Sequence, residues 1–135
     1  MNALFTGIYG EKAGSALNTA LGGRFYINMA PQNVAFPYCV YFLVSAEHEY
    51  DFSDEHEEFI IQFNLFDQNS NHSALALGVI LGNLKTVYDD AALTVTGYRA
   101  LKMTRDFVFS NNDTTTDPPV FGYSVQYTIL LEKAK

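Results

Sequence analysis

The run VFGYSVQYTILLE, residues 120–132, alternates almost without exception. Phe121, Tyr123, Val125, Tyr127, Ile129 and Leu131 fall on one parity and Gly122, Ser124, Gln126 and Thr128 on the other. A period of two is the signature of a strand with one face in a core and one face turned away from it, and no helix can bury such a pattern on a single side. EEFIIQFNLFD repeats the arrangement, with Phe59, Ile61, Phe63 and Leu65 opposed to Glu58, Gln62 and Asn64. Any fold for this chain must therefore hold a half-buried sheet and supply something to cover it.

Two helical segments are available for that. Residues 1–21 carry one apolar face at Leu4, Phe5, Ile8 and Tyr9 and another at Ala16, Leu17, Ala20 and Leu21, with Gly10 and Gly14 breaking the two apart. Gly22 and Gly23 then supply a helix stop, since glycine takes the left-handed conformation at no steric cost. The second helix spans NSNHSALALGVILGNLKTVYDD and carries Leu77, Leu81, Leu84 and Tyr88 on one stripe. Gly78 and Gly82 lie four apart on it, a spacing that predicts a close backbone approach to a neighbouring element.

Between the helices, RFYINMA alternates as a short strand and Pro31 ends its hydrogen bonding. Pro37 sets the start of the strand from Tyr38 to Ala46, which forms a long hairpin with EEFIIQFNLFD around the acidic turn. Residues 94–109 make one further strand, and the polar, proline-containing SNNDTTTDPP joins it to the last. The order is helix, strand, strand, strand, helix, strand, strand. It predicts one α+β domain over residues 1–135, a two-layer fold with a mostly antiparallel sheet of four to five strands and two main helices packed on one face.

The strand from Tyr38 is apolar on both parities, with Tyr38, Val40, Phe42 and Val44 opposed to Cys39, Tyr41 and Leu43. Either both faces are covered within the domain or one meets another subunit; since a lone two-layer domain covers only one face with its own helices, the strand or the edge of its hairpin is expected at a subunit contact, with Cys39, Tyr41 and Leu43 as the candidate residues.

Charge is unevenly placed. No Lys or Arg occurs from Phe25 through Leu84, while Glu47, Glu49, Asp51, Asp54, Glu55, Glu57 and Glu58 crowd one turn of a chain whose net charge is −7. That surface repels phosphate and excludes general nucleic-acid binding through this half. Arg99, Lys102 and Arg105 lie together on a later strand and read as a solvated face. No stretch approaches the roughly 18 apolar residues of a membrane span, and the N-terminus has no signal-peptide pattern.

Chemistry-bearing patterns are few. His48 and His56 are eight apart in the acidic turn, not at the spacing of a helical zinc site, and His72 reads as a surface residue. Cys39, the single cysteine, lies in an apolar run and reads as a core residue. There is no nucleophile elbow and no phosphate loop. The chain reads as a non-enzyme with no cofactor. A monomeric ligand-binding domain with a pocket between sheet and helix, and a metal-dependent hydrolase using the acidic turn, remain as alternatives.

One segment carries a family likeness. ALNTALGGRFYINMAPQNVAFPYCVYFLVS resembles the tail completion and tail terminator proteins of tailed bacteriophages, in which a first helix ends in a glycine turn before an Arg-aliphatic-Tyr strand, an Ala-Pro-Gln element and a Pro-Tyr pair. Gly23, Arg24, Tyr26, Ala30, Pro31, Gln32, Pro37 and Tyr38 supply these in order. The acidic turn, the strand and the second helix follow in the family's order, so the likeness covers nearly the whole chain. The glycines before Glu11 and the polar loop at 110–119 depart from it.

The resemblance implies a virion protein assembled in the bacterial host cytoplasm. It would form a homo-oligomeric ring, expected to be a hexamer, on the head-proximal end of the tail tube. Its partners would be the major tail tube protein and the head completion or connector protein, with DNA only as passing cargo and no membrane. On that reading Asp51, Asp54, Glu55 and Glu57 line the lumen or sit on the outer rim.

Overall fold

The computed structural model describes residues 2–50, 55–69, 71 and 73–133, with the backbone alone at 48–50 and 55. Helices α1 (Asn2–Glu11) and α2 (Ala16–Leu21) precede strands β1 (Phe25–Ile27), β2 (Tyr38–Tyr50) and β3 (Glu55–Asp67). Helix α3 (Leu75–Tyr88) and strands β4 (Tyr98–Ser110) and β5 (Phe121–Lys133) complete the chain. The five strands form one sheet in the order β1-β2-β3-β5-β4, antiparallel except where β1 runs parallel to β2. This is the α+β architecture expected from the sequence. No described helix is long and apolar enough to cross a membrane.

The alternating strands bury the parity predicted for them. Phe59, Ile61, Phe63 and Leu65 of β3 and Val125, Tyr127, Ile129 and Leu131 of β5 are buried beneath the helices. From the helical side come Leu4 and Ile8 of α1, Leu17 and Leu21 of α2, and Leu77, Ile80, Leu84 and Tyr88 of α3. The stripe on α3 is thus shifted at one place, since Ile80 rather than Leu81 is fully buried.

The first helical segment is two helices. The break falls after Glu11, one residue beyond Gly10, and Gly14 takes φ +70° within it. Ser15 caps α2 by accepting from the Asn18 N–H at 3.2 Å. Lys12 is buried at this break. Its ammonium lies 4.2 Å from the Tyr9 ring centroid and 5.3 Å from that of Phe25, and donates to Asn18 Oδ1. Gly22 and Gly23 then end α2 at φ +60° and +76°.

Several expectations are corrected. β1 stops at Ile27 because Asn28 turns left-handed at φ 65°, so Met29 lies outside the strand and the strand ends before Pro31 acts. It also pairs in parallel with β2, through a return loop over 28–37, in a sheet expected to be mostly antiparallel. Residues 94–97 are not strand. Leu93 and Val95 are buried in a connection crossing α1, and Gly97 at φ +86° turns the chain into β4 at Tyr98.

A further correction concerns close approaches. A Cβ at Gly78 or Gly82 would meet nothing within 4 Å, so no backbone among the described residues packs against them. The tight positions are Gly7, where a Cβ would stand 2.5 Å from the Thr94 carbonyl oxygen, and Gly122, where it would stand 2.5 Å from that of Asn111.

Gly78→Ala and Gly82→Ala should therefore each stabilise the fold by about 0.5 to 1 kcal/mol through helix propensity, whereas Gly7→Ala should cost about 1 to 3 kcal/mol by overpacking. Gly23→Val should cost about 1 to 3 kcal/mol because a β-branched residue is strained at that φ. Urea midpoints of the four variants decide all of these, and a destabilised Gly78→Ala would show that α3 meets something at that face.

Candidate functional site

The helices cover one face of the sheet. Beneath the helices Phe25, Tyr41, Phe63, Tyr88 and Tyr127 form a continuous aromatic cluster, with neighbouring ring centroids 4.7 Å apart for Phe25–Tyr41 and Phe63–Tyr88. The opposite face carries Tyr38, Val40, Phe42, Phe66, Asn64, Gln62, Ser124, Gln126, Phe107 and Phe109, the other parity of the same strands.

This outer face has a polar centre and apolar flanks. Asn64 Oδ1 accepts from Ser124 Oγ at 2.8 Å and from Gln62 Nε2 at 2.9 Å, and Gln126 Nε2 donates to Gln62 Oε1 at 2.9 Å. Four side chains from two strands are thus linked by hydrogen bonds across the middle of the face. On the β2 flank Tyr38 packs between Phe36 and Phe66, with centroids 5.4 and 5.1 Å away. On the β4 flank Phe107 and Phe109 stack at 5.7 Å while remaining 47% and 43% exposed.

Cys39 and Tyr41, named from sequence as subunit contacts with Leu43, lie on the covered face. Both have 0% exposure, and Leu43 packs against the core beside them. The strand is apolar on both parities as read, but the chain's own helices take the Cys39 side, so the face open to a neighbour is that of Tyr38, Val40 and Phe42. Burial pushes the Cys39 thiol well above its ordinary value, which leaves it protonated and unreactive.

The motif residues form one local device. The Arg24 guanidinium donates to the carbonyls of Pro37 at 2.9 Å and Phe36 at 3.4 Å, and the Cys39 N–H donates to the Arg24 carbonyl at 3.0 Å. A parallel β1–β2 pair obliges the chain to return along its own length within residues 28–37. Arg24 fastens the end of that return to the start of β2. Ala30, Pro31 and Pro37 belong to this loop, with Gln32 exposed, and Ala30 and Pro31 join Tyr38, Val40 and Phe42 in lining a groove of about 520 Å³ on the outer face. Tyr26 is half-buried in the middle of β1. Spacing alone exposed the motif's order but not that Arg24 is its keystone.

The acidic hairpin is longer and narrower than a single turn. Glu47 lies within β2, and Glu55, Glu57 and Glu58 within β3, paired as Glu47 with Glu58 and Tyr50 with Glu55. Glu57 Oε1 accepts from the Tyr98 hydroxyl at 3.3 Å. Asp51 and Asp54, like His72, lie outside the described residues. Among the described residues no three His, Cys, Asp or Glu side chains converge. The space between sheet and helices, where a ligand pocket was an alternative, is filled by the aromatic cluster. Other grooves lie at the surface between α2 and the start of α3 and beside α1.

No family model and no curated protein sequence matches the chain. Solved structures do. A chain of the virion of the native gene transfer agent particle superposes with a TM-score of 0.78 over 97% of this chain and 96% of its own, at 12% identity. A second solved chain shares the fold more loosely, with a TM-score of 0.53 and 9% identity over 99% and 95% of the two lengths. At these identities the likeness is one of fold.

Arg24→Ala should destabilise the protein by about 1.5 to 3 kcal/mol, the range for hydrogen bonds from a charged donor to partners left partly buried. Arg24→Lys should recover less than half of the loss, since an ammonium cannot span both carbonyls as the fork does. Full rescue by lysine, read from thermal melts, would show that charge alone matters there.

Proposed function

We propose that the chain is a structural subunit of a tailed phage or phage-like particle, forming a closed ring on the end of the tail tube. The ring would stop tube polymerisation and offer the surface to which the head completion or connector protein joins. The observation that carries this reading is the likeness of shape, along nearly the entire length of both chains, to a chain of a gene transfer agent virion. The order of motif residues from Gly23 to Tyr38 supports it independently.

The physical character of the outer surface agrees with such a role. A ring subunit needs broad surfaces that fit copies of itself and of its neighbours. This chain leaves one sheet face free of helices, with packed aromatics at both flanks and a hydrogen-bonded polar centre. Its one thiol is buried and protonated, and shape and interface rather than bond-making chemistry are what such a face can provide.

Light scattering across a concentration series, with negative-stain imaging in the presence and absence of the particle's tail tube protein, tests the proposal. Rings, or masses several times the 15.1 kDa chain, are expected. A strict monomer under all conditions, with no decoration of tube ends, would refute it.

The acidic hairpin extends the reading. Placed at the lumen, its carboxylates would keep DNA phosphate from adhering to the wall during transit; placed on the rim, they would serve solubility alone. Replacing Asp51, Asp54, Glu55 and Glu57 by lysine separates the two. With the carboxylates at the lumen, particles should build full-length tails yet eject DNA poorly, and the defect should ease as salt shortens the reach of the charges to about 8 Å or less. Unimpaired infectivity of the reversed particles would assign the hairpin to the rim.

A further inference from the structure

At the end of β3 a carboxylate is buried with little to hold it. Asp67 is only 6% exposed and continues the covered parity of Phe63 and Leu65. Among the described residues its one side-chain hydrogen bond is the weak one that Oδ2 accepts from Asn69 Nδ2 at 3.3 Å, and no ion pair engages it. Asn69 is itself committed to the loop leading into α3, donating to the Ser73 carbonyl at 2.7 Å and accepting from the Ser73 N–H at 3.3 Å. A carboxylate taken this far from water is ordinarily matched by a cation or by several donors.

Asp67 lines the groove between α2 and the start of α3, a space of about 740 Å³ whose apolar part is made by Ala20, Pro37, Ala76 and Ile80. At its α3 side stand Leu75 and Val79, 82% and 66% exposed. The solvent side of α3 continues through Gly82 to Thr86 without a charge, whereas a surface helix usually turns charged residues outward. Two large apolar side chains left in water, one turn apart and beside a buried acid, mark a contact that the isolated chain does not make.

We propose that this groove receives a lysine or arginine side chain carried on an apolar segment of a different protein of the particle. Its cationic head would meet Asp67, its aliphatic stem would run along Pro37 and Ala76, and apolar neighbours on the same segment would cover Leu75 and Val79. The inference rests on the reading of the chain as a particle subunit, which supplies such a neighbour. Charge complementarity selects the basic head, and an ion pair closed off from water in an apolar groove is far stronger than one on an open surface. A free polyamine would bring several charges to one carboxylate and leave Leu75 and Val79 bare. A second copy has few basic side chains to offer, since Arg24 is held by the Phe36 and Pro37 carbonyls, Arg99 by Glu132 and Arg105 by Asp89, and Lys12 is buried.

Sedimentation of the full chain with the particle's tail tube protein, and separately with its connector protein, tests this. Asp67→Asn keeps the shape of the side chain and an acceptor for Asn69, so it should melt near the parent temperature yet bind one of the two proteins about tenfold more weakly or worse, as the loss of one partner of a desolvated charge pair requires. Leu75→Ser combined with Val79→Ser, both positions being exposed, should weaken the same binding by a similar factor. Neither variant should lose self-association. If the parent binds and both variants bind as it does, the docking is overturned while the ring reading survives. Loss of binding through the apolar pair alone, or an Asp67→Asn protein that does not fold, would overturn the role of the carboxylate. Loss of self-association with binding intact would give the groove to a second copy and overturn the assignment to a different protein. A parent that neither forms rings nor binds either protein overturns the particle reading and this inference with it.

Discussion

Everything in this fold is organised by where the aromatic cluster anchors the helices. The Tyr88 hydroxyl donates to the Ile8 carbonyl at 2.6 Å, that of Tyr41 to the Phe5 carbonyl at 3.4 Å, and that of Tyr127 to Asp89 Oδ1 at 2.6 Å. Each ring thus contributes apolar area to the core while its hydroxyl ties sheet or helix to a second element, so none of these three hydroxyls is left unpaired. Burial raises all three phenols well above their ordinary range, which keeps them protonated and able to donate. With α1 and α3 fixed to each other through Tyr88, the helical layer lies over the Cys39 side of β2 and nowhere else.

The uncovered face follows from that placement. Three helices on one side of a five-stranded sheet leave the other side to loops or to partners. Residues 28–37 cover part of it at the β2 end, where Arg24 holds them down, and the β4 end remains bare at Phe107 and Phe109. The Asn64, Gln62, Ser124 and Gln126 network divides the two aromatic flanks. A wholly apolar sheet face of this size would invite unspecific association, and a satisfied polar centre limits contact to partners that fit the flanks.

Much of this was legible in the sequence where periodicity is local. The alternation in β3 and β5 named the buried parity residue by residue, and the LGGR helix stop fell where Gly22 and Gly23 take positive φ. What periodicity could not convey was which side of a doubly apolar strand the helices would choose. Cys39, Tyr41 and Leu43 looked no different from Tyr38, Val40 and Phe42 until the register with β3 placed Tyr41 beside Phe63. Glycine was misleading for a related reason. Gly78 and Gly82 suggested an approach that does not occur, while Gly7 and Gly122 face carbonyls of Thr94 and Asn111, one of them far away in sequence, and Asn111 only across a loop. The order of the motif was visible at once, but the role of Arg24 required knowing that β1 and β2 run parallel and that the chain must come back between them.

The distribution of charge along the edges bears on what kind of assembly such a subunit can enter. A closed two-fold contact uses the same patch twice, and a patch of one sign then repels its own copy. A ring or a filament uses two different patches, and acid at one end of the sheet with base at the other serves that arrangement and disfavours its rivals. The chain has no Lys or Arg between Phe25 and Leu84, which spans β1, β2 and β3, while Arg99, Lys102 and Arg105 concentrate on β4 at the opposite edge. The same asymmetry that makes the acidic hairpin unsuited to phosphate gives the molecule a polarity across its sheet. Whether that polarity closes into a ring depends on the angle between successive copies, which the twist of a five-stranded sheet supplies without further residues. In an assembly of that kind, charge would favour a contact between unlike edges and backbone geometry would set how many copies complete it.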